Sequence, residues 1–186
     1  MAYASGYCSV LIPHPDSAAE GTTIAVEARL TAPGILVCDY ALHVDMRRVR
    51  LPDSHGGERS DDLWRHTCFE AFVTAAHLVG YYEFNFSPAR DWAAYCFEDY
   101  RHGMTPAMLV AAPGLHVHAG PARLELSATL DLAGLADLTA AARLRVALAA
   151  VIEADTGELS YWSLQHAPGK PDFHHPDGFT LELSPP

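Results

Sequence analysis

Period-two alternation of apolar and polar positions dominates this chain. Over Thr23–Leu30, Ile24, Val26, Ala28 and Leu30 point one way and Thr23, Glu27 and Arg29 the other, the pattern of a half-buried strand. Over Arg123–Leu132 a leucine-rich face, broken only by Ala128, alternates with Arg123, Glu125, Ser127, Thr129 and Asp131. Further strand runs fall at Tyr7–Ile12, Ile35–Val44, Leu63–Thr74, Tyr81–Ser87 and Trp92–Phe97. The rest lie at Leu115–Ala119, Leu144–Glu153, Leu159–Leu164 and Phe179–Leu183. Short runs punctuated by Gly, Pro, Asp and Ser predict an all-β, antiparallel β-sandwich rather than alternating strands and helices. Leu132–Ala141 is the single helical stretch, one or two turns long. Two long polar loops, Arg50–Asp62 and Pro168–Gly178, stand out, and long loops in compact folds often carry function.

One hairpin sorts its own faces. With Thr74 opposite Tyr81, Phe72 faces Glu83, Glu70 faces Asn85 and Cys68 faces Ser87. One side then carries Phe69, Ala71, Val73, Tyr82, Phe84 and Phe86, which is core. The other carries Trp64, His66, Glu70, Phe72, Glu83 and Asn85, and a turn at Ser87–Asp91 brings Tyr95 beside Glu83. A slip of one residue would scramble this separation. A solvated face is the ordinary reading of such a polar side. Trp64 argues for a cover, since an indole carries about 200 Å² of mostly apolar surface; a loop of the same chain or a ligand would serve.

Length and charge narrow the function. The 186 residues, 49% hydrophobic and 19% charged, suit one ordered domain spanning 1–186 that needs no cross-links. Acidic residues outnumber basic ones 23 to 12, and the formal charge of −11 repels nucleic acid and anionic membranes on average. The opening MAYASGYCSVLIPHP has neither the basic start nor the apolar run of a signal peptide, and no stretch reaches the about eighteen apolar residues of a membrane span. A soluble, cytoplasmic protein is expected. Cys8, Cys38, Cys68 and Cys96 are widely spaced, with no C-x-x-C pair, and read as buried free thiols.

The polar residues suit a small polar ligand, a saccharide or similar metabolite. A pyranose offers C–H faces for stacking and hydroxyls for paired donors and acceptors. Trp64, Tyr95 and Trp162 are candidate platforms; Arg65, Glu70, Glu83, Asn85, His166, Lys170, Asp172 and His174 are candidate polar partners, with Gln165 beside them. In PDFHHPD, Asp172, His174, His175 and Asp177 are able metal ligands, but their spacing matches no structural zinc pattern, and no metal is assigned. G-x-S-x-G, Walker, G-x-G-x-x-G and H-E-x-x-H motifs are absent. A hydrolytic alternative uses Glu70 or His174 as general base, or Glu70 with Glu83 as a glycosidase pair. A haem alternative takes Met46, Met104 or Met108 with a histidine as axial ligands. No cofactor is assigned.

Three blocks, DDLWRHTCFEAFV, GYYEFNFSPARDWAAYCFEDYRHGM and GELSYWSLQHAPGKPDFHHPDGF, together resemble bacterial DOMON-like proteins, whose domain is grouped with type 9 carbohydrate-binding modules. The resemblance runs from about Asp61 to the C-terminus. It implies a jelly-roll-like β-sandwich with one short helix, a superfamily whose members bind sugars or haem. The sugar-binding members clamp a terminal sugar between two tryptophans, and Trp64 and Trp162 are the candidates for that role here, though no shared motif fixes the correspondence.

Overall fold

The computed structural model describes residues 7–53 and 56–185. The first six residues of the chain, and residues 54 and 55 of the long loop, lie outside it. In chain order the described strands are β1 (Tyr7–Val10), β2 (Ile12–Pro13), β3 (Thr23–Ala32), β4 (Ile35–His43), β5 (Cys68–Ala75), β6 (Tyr81–Phe86) and β7 (Trp92–Phe97). They continue as β8 (Thr105–Pro106), β9 (Gly114–Gly120), β10 (Arg123–Asp131), β11 (Leu144–Glu153), β12 (Leu159–Ser163) and β13 (Leu181–Leu183), with one helix, α1 (Ala136–Thr139), before β11.

Two antiparallel sheets form the sandwich. One runs β1-β3-β4-β10-β9; the other runs β2-β12-β11-β5-β6-β7-β8, with β13 also pairing β11. The alternating sequences place Ile24, Val26 and Leu30 of β3 and Leu124, Leu126 and Leu130 of β10 inward, against Phe69, Phe84, Phe86 and Leu148 of the second sheet. The Tyr40 hydroxyl crosses between the layers to donate to Glu70 O at 2.8 Å, satisfying a phenol that burial would otherwise leave unpaired.

The hairpin β5–β6 has the expected register, with Glu70 opposite Asn85, Phe72 opposite Glu83, and Glu83 in turn beside Tyr95 of β7. Its polar-side residues are nevertheless buried along all of β5 and β6. The chain after β12 folds back over this outer face, and a second apolar cluster of Phe72, Tyr81, Tyr95, Phe97 and Phe179 forms beneath it, with Phe173 packed against it. The sheet is therefore buried on both faces, and a partly roofed space remains over Glu70 and Glu83.

Two expectations are corrected. The strand expected from Leu63 begins at Cys68, because Asp62 adopts a left-handed backbone (φ 62°) and starts a 3₁₀ turn over Leu63–Arg65, with Arg65 N donating to Asp62 O at 3.1 Å. The short helix expected within Leu132–Ala141 is the single turn of α1. Only Cys38 and Cys68 are buried thiols; Cys8 is exposed and Cys96 half-buried, and all are free.

At the start of β6, Gly80 crosses the end of β7 so closely that a Cβ there would sit 2.2 Å from Phe97 O. Gly80→Ala is expected to cost about 1–3 kcal/mol by forcing the strands apart, read as a lower urea midpoint with an unchanged slope.

Candidate functional site

The roofed space is a cleft of about 870 Å³ on the outer face of the larger sheet. Its floor comes from the strands: Glu70 of β5, Glu83 of β6, Tyr95 and Phe97 of β7, Val151 of β11 and Tyr161 of β12. These share one face because the register aligns Phe72, Glu83, Tyr95 and Pro106 across the sheet, and Tyr161 with Val151 and Cys68. The rim comes from loops: Arg59, Asp61 and Trp64 on one side, Arg101 and Met104 on another, and Lys170, Phe173 and His174 from the chain that folds back.

Each rim segment has a local cause. Asp91 Oδ1 accepts from Gly57 N at 3.0 Å and Glu58 N at 3.2 Å, clamping the Arg50–Asp62 loop to the edge of β7. Asp61 accepts from the Tyr95 hydroxyl at 2.6 Å and pairs with Arg59 at 3.1 Å, while the Arg59 guanidinium lies over the Tyr95 ring at 5.4 Å. The Arg65 guanidinium covers one side of the Trp64 ring at 5.3 Å and still leaves the indole 46% exposed. Opposite, Asp172 fastens the returning loop. It accepts from Arg101 Nη2 at 2.8 Å, from His174 N at 3.1 Å and from the Tyr100 hydroxyl. Against the cost of its burial, these donors hold Asp172 below the usual carboxylate range.

The floor has unusual electrostatics. Burial pushes the Glu70 carboxyl well above the ordinary range, and Glu83 beside it pushes the same way. Glu83 is also raised by burial, against the Asn85 amide that donates to its Oε1 at 2.7 Å and against the charge of Arg101. Glu70 Oε1 is buried with no hydrogen-bond partner. His174, ringed by Phe72, Tyr81 and Phe97 at 5.2–5.8 Å, is pushed down to about 4, first by burial and then by Arg101, so it is neutral at neutral pH. The Tyr81 hydroxyl accepts from Arg101 N at 3.2 Å and is hydrogen-bonded to His174 Nδ1 at 2.8 Å. The other ring nitrogen, Nε2, faces Glu83 Oε2 at 3.8 Å.

Of the residues singled out by sequence, the cleft brings together Trp64, Glu70, Glu83, Tyr95, Lys170 and His174. It does not include Arg65, Asn85, Trp162, His166 or Asp172. Trp162 is corrected outright: it is 2% exposed, points into the sandwich core, donates from Nε1 to Ser160 Oγ at 3.0 Å, and offers no stacking platform. Its neighbour Tyr161 has the opposite parity and lines the cleft instead. Asn85 is fully buried and braces Glu83. Arg65 lies over Trp64 and pairs with Asp62 at 3.5 Å. His166 bonds Ile12 O at 2.8 Å and packs edge-on to His14, away from the cleft. Asp172 is a brace behind the rim.

Arg59, Asp61, Arg101, Phe97, Tyr161 and Phe173 were missed. Phe97 was accessible to strand parity, two residues beyond Tyr95; the rest depend on which loops fold back. Among the described residues no three His, Cys, Asp or Glu side chains are placed to hold a metal ion. Of the methionines weighed for haem, Met104 lines the cleft with His174, whereas Met46 packs against the core and Met108 is exposed.

No family model matches the chain, and no curated protein matches it by sequence. Solved structures match its fold. A candidate carbohydrate-binding protein from Bacteroides uniformis ATCC 8492 superimposes with a TM-score of 0.72 at 15% identity, covering 97% of this chain and 86% of that one. A family 9 carbohydrate-binding module from Caldicellulosiruptor kristjanssonii, solved with cellotriose, gives 0.55 at 10% identity over 95% of this chain and 81% of that one. The module solved with glucose gives 0.56 at 10% identity, over 95% and 83%. The class is thereby defined: an antiparallel β-sandwich with the fold of family 9 carbohydrate-binding modules.

Proposed function

We propose that this chain is a DOMON-like, saccharide-binding β-sandwich whose site is the cleft over Glu70 and Glu83. The observation that carries the reading is the composition of that cleft. Trp64, Tyr95, Tyr161 and Phe173 offer flat apolar surface, and carboxyls, guanidinia and an imidazole surround it, within a volume suited to a small ligand. A sugar ring needs both kinds of surface at once. The same fold in modules solved with glucose and cellotriose supports the reading.

Titration with glucose and with cellotriose, followed by calorimetry, tests it. Saturable heat is expected with at least one of the two, and Trp64→Ala is expected to weaken binding about tenfold by removing a half-exposed platform. Lys170 provides a second readout, because it is the only lysine in the chain and lies at the rim. Bound sugar is expected to slow its acylation, seen by mass spectrometry. No heat with either sugar, together with unprotected Lys170, would sink the proposal.

A further inference from the structure

The cleft holds one conspicuous imbalance. Two of its cations are tied down, Arg59 by Asp61 and Arg101 by Asp172, and the third, Lys170, stands at the rim. Its deepest acids lie beneath them: Glu70 is 3% exposed and Glu83 5%, the Glu70 Oε1 has no hydrogen-bond partner, and Glu83, held by the Asn85 amide, faces the neutral His174 with its Nε2 at 3.8 Å. Two neighbouring carboxyls in a desolvated floor resist ionising together, which favours a proton held on the pair until a closer counter-charge arrives. Around them stand the faces and edges of Trp64, Tyr95, Phe97, Tyr161 and Phe173. Buried acid beneath aromatic walls is the environment that favours an organic ammonium, through ion pairing below and ring quadrupoles at the sides.

We infer that the floor of the cleft is an ammonium subsite, in which Glu70 and Glu83 receive the protonated amino group of an amino sugar. This rests on the saccharide reading and narrows it to a ligand class. The exchange balances: the ligand arrives as R–NH₃⁺, the proton held by the carboxyl pair leaves to solvent, and the ammonium takes its place as counter-ion. No bond other than O–H is broken.

The groups that face the pair set its pH dependence. Cys68 lies on the same strand, Asn85 on the next and Tyr95 on the one after; from the loops come His174, backed by Tyr81, and Arg101; from the opposite sheet Tyr40 bonds the Glu70 carbonyl. Burial holds the thiol and phenols in this set protonated at neutral pH, and His174 is neutral there. The charged groups around the pair are Arg101, already tied to Asp172, the Arg59–Asp61 pair, and Lys170 at the rim. The pair is thus the group that exchanges a proton when the amine binds. Affinity for the amine therefore rises with pH, until the amine itself loses its proton.

The test compares glucosamine with glucose on the intact chain by calorimetry, in two buffers of different ionisation enthalpy at neutral pH. Glucosamine is expected to bind about tenfold tighter, with a heat that depends on the buffer because a proton is released, whereas glucose shows no such dependence. In Glu70→Gln and in Glu83→Gln the preference for glucosamine is expected to fall and the buffer dependence to vanish. The two variants guard against either failing to fold. Glucose binding as well as or better than glucosamine, without proton release, overturns the ammonium subsite and leaves the saccharide reading standing. Binding of neither sugar overturns the ammonium subsite, and overturns the saccharide reading as well if cellotriose also fails to bind and leaves Lys170 unprotected.

Discussion

Trp162→Ala is expected to lower stability by about 3–5 kcal/mol, whereas Trp64→Ala should shift it by no more than about 0.5 kcal/mol. Trp162 is the largest side chain sealed between the sheets, and truncation leaves a hole walled by both layers together with a Ser160 hydroxyl deprived of its indole donor. The surrounding strands are locked in register on both sides, β12 by β11 and β2, so the hole collapses only in part. Trp64 instead sits on a 3₁₀ turn at the rim with nearly half its surface in water. Urea unfolding of the two variants, followed by circular dichroism, separates the roles. A large drop in midpoint for Trp64→Ala, or none for Trp162→Ala, would reverse the assignment of platform and core.

That contrast shows what the sequence carried and what it did not. Both indoles sit in short apolar runs, and nothing local distinguishes them. Parity decides: Trp162 pairs with Ala150 and so takes the inner face, while Tyr161 pairs with Val151 and takes the outer one. Within a single hairpin, parity is readable, because polar and apolar residues segregate only in one register; this is why Glu70, Asn85, Glu83 and Tyr95 could be placed before any coordinates. To relate β12 to this hairpin the same inference needs the register of β11 against β5, two non-consecutive strands, which alternation alone does not supply.

Loop-borne groups were harder still. Arg59 and Asp61 reach the cleft because Asp91 clamps the backbone of residues 57 and 58, and Arg101 because its backbone turns left-handed (φ 52°) and hands its N–H to Tyr81. Neither event leaves a periodic trace. The two-residue strands β2 and β8 were invisible for a similar reason, being defined by pairing rather than by pattern. The returning loop was singled out by its residues, yet only contacts reveal that Asp172 is its fastener and His174 its contribution to the floor.

The buried imidazole and the two buried carboxyls of the cleft give the fold opposite contributions to its dependence on pH, and single substitutions are expected to separate them. His174 is pushed down to about 4 in the fold, while an unfolded histidine titrates near 6.5. The unfolded chain therefore binds more protons in that window, and stability falls as pH drops from about 6.5 toward 4, by about 3 kcal/mol if the whole shift is realised. Glu70 and Glu83 act in the other direction. Their folded values are raised, so the folded state keeps a proton that the unfolded chain has lost, and stability declines as pH rises above the ordinary carboxylate range. Urea midpoints across the pH range check both limbs. In His174→Gln the acid limb is expected to flatten, and in Glu70→Gln the alkaline limb, since a carboxamide fills the same space without a charge to bury. Because His174 roofs the carboxyls from the returning loop, its protonation also sets a cation opposite the pair, and the acid limb should be accompanied by loss of Lys170 protection by bound sugar. An acid limb that survives in His174→Gln would place the titrating group elsewhere and remove the imidazole from this account of the cleft.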